Sequence, residues 1–183
     1  MNRIKIDPRV CVLFSVIILL VPLQWLVAWL TAVCFHEFCH WIFIKLFGGN
    51  ILTFSIGLGG ANMQCTDLSD NVRLISILAG PVGGLVLVLF GRWFPRLAVC
   101  SWLLSVYNFL PILPLDGGQT VRILMKNDKS FFVLERIILH IITLLTVFIC
   151  IFTNFGPLPL VVTASLWLKN RKRPCKETFC GVQ

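Results

Sequence analysis

Apolar stretches follow one another along most of this chain, separated by short breaks of Pro, Gly, Asn and basic residues. The pattern predicts about six membrane-spanning helices, near Val10–Pro22, Leu23–Phe47, Val72–Phe90, Leu97–Leu113, Phe131–Phe152 and a short last one ending at Leu168. The first is short for a bilayer that needs about 20 residues, so its boundary near Pro22 can shift. Gly48-Gly49-Asn50 supplies a helix stop after the second span, and Thr153 to Pro157 a turn after the fifth. Ile51 to Asp70 breaks the pattern. Thr53, Ser55, Gly57, Gly59, Gly60, Asn62 and Gln64 interleave there with apolar residues, too polar to span and strand-like in period. The fold class expected is an all-α polytopic membrane protein with a small membrane-associated β-hairpin after the second span. Gln119–Ser130 reads as a polar loop. Residues 1–168 form one domain in this reading, and 169–183 a short basic tail.

Composition agrees with the pattern. Hydrophobic residues make up 57%, charged residues 13%, and mean hydropathy is +0.89. A soluble domain carries about 25% charged residues. The net charge of +8 raises nucleic acid as a partner. The basic residues, however, flank apolar runs or lie in the tail, as topogenic charges do, and nucleic-acid binding is set aside. With six spans, 14 of the 16 Lys and Arg fall on one side, and only Arg92 and Arg96 on the other. The positive-inside rule puts both termini in the cytosol. The start, Met1 to Lys5 before an apolar run, resembles a signal peptide but lacks a small-residue cleavage site, and is read as an uncleaved first span. Most of the eight cysteines lie in apolar runs as small hydrophobes, and Cys175 and Cys180 in the tail are expected to be reduced.

The candidate chemistry lies in the second span. His36-Glu37-Phe38-Cys39-His40 reads H-E-x-x-H. Two histidines at i and i+4 share a helix face and can close on one zinc ion, and the Glu beside the first can take a proton from a water on that ion. Three His and three Glu among 183 residues would give this pattern by chance on the order of once in a thousand chains. The bland alternative is a pair of core histidines with a snorkelling Glu. A catalytic zinc needs a third protein ligand, and Asp116 is the other acidic residue in an apolar setting. It follows Pro111 and Pro114 and precedes Gly117-Gly118, in a stretch that breaks a membrane helix, as backbone lining a site does. Its alternative is an ordinary turn residue at a helix end. By the predicted topology, His36, His40 and Asp116 lie at one depth, in the cytosolic half.

With these motifs the chain resembles the site-2 protease family of intramembrane zinc metalloproteases. H-E-x-x-H matches His36 to His40, and N-x-x-P-x-x-P-L-D-G-G matches Asn108 to Gly118 at every specified position. The short chain, the Gly-Gly hairpin, Ala79-Gly80-Pro81 and the six-span layout resemble most the compact branch that processes a sporulation sigma-factor precursor. The resemblance implies that His36, His40 and Asp116 bind Zn2+, that Glu37 is the catalytic base, and that Asn108 is a polar group beside the active site. It implies a bacterial cell-membrane enzyme. Asn108, Gly59 and Gly60 are the candidate substrate contacts, the glycines through a hairpin edge that an unwound substrate could join. Ala79-Gly80-Pro81 with Gly83 and Gly84 is read as a close-packing surface, and His140 as an interhelical hydrogen-bonding residue.

The function expected is a zinc endopeptidase cutting transmembrane or membrane-adjacent segments of a single-span membrane protein or peptide. No nucleotide-sensing or PDZ module is evident, so dependence on a regulatory membrane partner or on prior trimming of substrate is expected. Two other classes were weighed. A non-catalytic client-binding protein of this fold would have no need of Glu37. A metal transporter would spread ionisable residues along a pathway, whereas here they converge at one depth.

Overall fold

The computed structural model of the chain describes residues 3–6, 21–57, 60–66, 68–125, 127–152 and 163–164. Described elements are strand β1 (Arg3–Ile6), helix α1 (Leu23–Leu46), strands β2 (Ile51–Gly57) and β3 (Gly60–Cys65), and helices α2 (Asp70–Val88), α3 (Pro95–Asn108), α4 (Asp116–Met125) and α5 (Asp128–Phe152). The protein is mostly helical. Most of the expected first span, Val10–Pro22, most of the last, and the tail 169–183 lie outside the described residues. The chain divides into two compact units, Met1–Leu110 with Thr178–Gln183, and Pro111–Glu177.

Within the first unit, α1, α2 and α3 pack on one another. Apart from Leu26, the buried positions of α1 recur every fourth residue: Ala28, Ala32, His36, His40 and Ile44. That spacing keeps side chains on one helix face, so the two histidines lie in the same stripe as the packing residues. Ala28 and Ala32 meet Cys100 of α3, flanked by Leu97 and Leu104. Small residues here let the helix backbones approach, and that is how helices associate in lipid. The buried stripe of α2, Ser76, Gly80 and Gly84, has the same period. A Cβ on Gly83 would meet Cys39 Sγ, and one on Gly84 would meet Ser105 Oγ. The expectation of close packing at these glycines therefore has a concrete content.

The opposite faces are apolar and exposed: Trp25, Trp29, Phe38 and Trp41 on α1, Val82, Leu85 and Val86 on α2. In water such surface would drive aggregation; against lipid it is matched. Leu23–Leu46, Asp70–Val88 and Lys129–Phe148 are long and apolar enough to cross a membrane. These are the helices of a membrane protein.

α1 ends where Gly48-Gly49 was expected to stop it. Gly48 takes φ +79°, its N–H donates to Lys45 O, and Gly49 N–H donates to Ile44 O at 2.8 Å. The left-handed residue turns the chain back over the last carbonyls, a conformation glycine adopts at little steric cost. β2 and β3 then pair antiparallel, with Ile56 opposite Ala61 and Gly57 opposite Gly60. The sheet carries a third strand that the sequence pattern did not suggest: β1 pairs parallel with β2, Ile4 opposite Phe54. Arg3–Ile6 had been read only as the flank of a first span, because four residues of alternating charge and apolarity are too short a signal. Ile44 and Cys65 form a small core with Ile51 and Leu68, fixing the sheet to the end of α1. Cys65 is disulfide-bonded.

Two boundaries differ from expectation. The fourth span was expected over Leu97–Leu113, but α3 ends at Asn108 after 14 residues. Pro111 and Pro114 lack the N–H needed to continue the ladder. The polar loop expected over Gln119–Ser130 is mostly helix. α4 begins at Asp116 and runs to Met125, and α5 begins at Asp128. Asp116 suits a first turn, where a carboxylate faces the positive end of the helix. Gly117 and Gly118 follow it inside the helix, although adjacent glycines read as a turn. α4 and α5 pack on each other within the second unit.

Candidate metal centre

His36 and His40 occupy the centre of the buried stripe of α1, each 3% exposed. Their Nε2 atoms face each other at 3.2 Å, and the rings cross nearly at right angles, 82° between planes. One turn of helix brings the two rings together, and α2 supplies what orients them. Ser76 O lies 2.8 Å from His40 Nδ1. A carbonyl can only accept, so Nδ1 carries the proton and donates it. In the neutral ring Nε2 is then the lone-pair nitrogen, turned toward His36. Such an outer bond is the usual way a ligating imidazole is held in one tautomer and orientation.

Gly80, one turn along α2 from Ser76, lies against the edge of both rings. A Cβ there would run into His40 Nε2 and stand 2.8 Å from His36 Nε2. The absence of a side chain at Gly80 is what leaves room for the facing nitrogens. Sequence reasoning assigned Ala79-Gly80-Pro81 to helix packing alone. The four-residue spacing of Gly80 and Gly84 marks a packed face without saying what packs on it, and Ser76 has no sequence signal of its own, because it acts through its backbone carbonyl.

Glu37 is half-buried, one position around the helix from His36. Asp116 is 8% exposed at the start of α4. His36 and His40 each offer one imidazole nitrogen as a possible metal ligand, and Asp116, in the second unit, offers a carboxylate oxygen. The chemistry fits: two imidazole nitrogens and one carboxylate suit a divalent ion of zinc type and leave a coordination position for water or substrate.

The remaining candidates sit as follows. Asn108 closes α3, and its Nδ2 donates to Leu104 O at 3.0 Å. Gly60 opens β3, while Gly59 lies outside the described residues. His140 is exposed on α5, and its Nδ1 donates to Arg136 O at 2.7 Å within the same helix.

No family model and no curated protein matches the sequence. The fold does have a solved counterpart, Site-2 Protease from Methanocaldococcus jannaschii, with a TM-score of 0.67 and 18% identity over 97% of this chain and 94% of that one. The two chains share a fold. At this identity the likeness speaks for architecture, and the chemistry rests on the residues themselves.

Proposed function

We propose that the protein is an intramembrane zinc metalloendopeptidase that cuts transmembrane or membrane-adjacent segments of membrane-bound substrates. The observation that carries this reading is the buried His36–His40 pair, with facing Nε2 atoms and one ring held by Ser76 O, to which Asp116 of the second unit would add the third ligand. An intact H-E-x-x-H and a fold shared with a Site-2 Protease support it.

In this reading His36, His40 and Asp116 hold the zinc. When bound it supplies Lewis acidity, polarising the scissile carbonyl and lowering the pKa of water toward 7. Glu37 takes the proton of the attacking water and delivers it to the leaving amine. His40 keeps its ring fixed through Ser76, so no reorientation is needed during the reaction. Asn108 is a further polar group for substrate.

A peptide bond in a substrate helix has its carbonyl engaged in the helix ladder, so the substrate must open locally before it is cut. Among the described residues β3 is an edge of the three-stranded order β1-β2-β3. An unwound segment can add to such an edge as a further strand, with Gly59 and Gly60 the candidate contacts. The partners in this reading are a single-span membrane protein or peptide and a regulatory membrane protein. The cell membrane of a bacterium with cytosolic termini, and a client like that of the sporulation branch, are its finer parts.

The test is cleavage of a single-span substrate by the purified protein in liposomes. Activity should disappear with a chelator and return with zinc. Gly or Pro near the cut should speed cleavage of a poor substrate, and a run of Leu should slow it. Cleavage indifferent to chelation would remove the metalloprotease reading. Rates that follow side-chain identity and ignore helix propensity would remove the unwinding step.

A further inference from the structure

Asp116 follows a segment without regular structure, from the end of α3 to the start of α4. Pro111 and Pro114 in that segment donate no hydrogen bond. Its position must be set by groups outside it, and those groups are visible in the second unit. Leu113 N–H donates to Glu135 Oε1 of α5 at 2.8 Å. Gln119 Nε2 of α4 donates to Pro114 O at 3.1 Å, and Leu115 N–H donates to Ile112 O at 2.9 Å. Gly118 lies flat beneath the same backbone, where a Cβ would stand 2.6 Å from Ile112 O and from Leu113 N.

Glu135 is 1% exposed and sits within Lys129–Phe148, a stretch apolar enough to cross a membrane. An ionisable group in such a place is costly and persists where it has a function and a hydrogen-bond partner. The proposed reaction uses Glu37 as base and Asp116 as ligand, and gives Glu135 no part. Its Oε1 accepts from the backbone three residues before Asp116.

We infer that Glu135 is a positioning residue for Asp116. Its carboxylate pins Leu113, and through the short Leu113–Asp116 segment it sets where the ligand carboxylate lies. This deepens the metal-centre reading and rests on it. In this inference the effect of Glu135 is on metal affinity, through the order of the segment. A buried polar group serving only to hold α5 would change thermal stability and leave metal affinity alone.

The test uses the full chain in detergent, as wild type, Glu135→Gln, Glu135→Leu and Asp116→Asn. Zinc affinity is measured by competition with a chelator, and amide hydrogen exchange is followed in peptides spanning 109–118. Glu135→Gln keeps an acceptor oxygen at the same reach and should stay within a few-fold of wild type in both. Glu135→Leu should lose on the order of 10- to 100-fold in zinc affinity, as loss of an outer partner does elsewhere. It should also exchange faster over 109–118 and remain unchanged over α1 to α3. Wild-type zinc affinity in Glu135→Leu would overturn the inference. If Glu135→Leu does not fold, Glu135→Asp, one methylene short, takes its place and should show both losses. Equal zinc binding by wild type and Asp116→Asn would instead remove the metal centre. Unchanged exchange over 109–118 in the Glu135 variants would remove Glu135 as the anchor whatever the metal does.

Discussion

Gly80 and Glu37 serve the same site in different ways, one by leaving room for the two imidazole rings and the other by offering a carboxylate that can take a proton. Gly80→Ala would drive a methyl group into the rings of His40 and His36. Neither ring can retreat freely, since His40 is tied to Ser76 O and both are buried in the α1 stripe. Zinc affinity, measured by chelator competition, should fall on the order of 10- to 100-fold, with the helical content unchanged. Retained affinity in Gly80→Ala would mean that the rings have room that the structure does not show. Glu37→Gln fills the same volume and cannot accept a proton at neutral pH. It should keep its zinc while cleavage falls by on the order of 100-fold or more, read as turnover of a membrane substrate. Near-normal turnover would take the role of base away from Glu37. The histidines, Glu37 and Asp116 were legible in the sequence because few residue types ligate a metal and their spacing is set by the helix repeat. Ser76 and Gly80 were not. A backbone carbonyl leaves no trace in residue identity, and a glycine that makes room for imidazoles looks the same as one that makes room for a helix.

At the level of elements, the close approach of α1 to α3 depends on Ala28 and Ala32 against Cys100. Ala32 is 1% exposed, so added bulk has nowhere to go. Ala32→Leu should destabilise the protein by about 1–3 kcal/mol, the ordinary cost of overpacking. Thermal unfolding in detergent checks this, and an unchanged midpoint would mean the seam is looser than drawn. Helices α1, α2 and α5 were readable because long apolar runs bounded by Gly, Pro and charge leave few alternatives. α4 was missed for a specific reason: Gly117-Gly118 and the polar residues after it mimic a loop, while its helical state comes from packing on α5. β1 was missed because four residues carry almost no periodicity, and its pairing with β2 is a long-range contact that no local pattern encodes. The early end of α3 could have been read from Pro111 and Pro114. Apolarity continues through them, and the expected span followed the apolarity.

For the molecule as a whole, the distribution of charge and the metal chemistry make separate demands. The bias of 14 of 16 basic residues puts the termini in the cytosol if six spans cross. Reporter fusions after Gln183 test this. A reporter active only in the cytosol is expected; activity of an externally directed reporter would invert the topology and move the cut to the other side of the membrane. Neither outcome touches the central claim, that His36, His40 and Asp116 bind one zinc ion. Elemental analysis of the purified protein tests that claim most directly, comparing wild type with the His36→Ala, His40→Ala double variant. The account predicts about one zinc per chain in the wild type, by the logic of a three-ligand site, and none in the variant. Undiminished zinc in the double variant would contradict it.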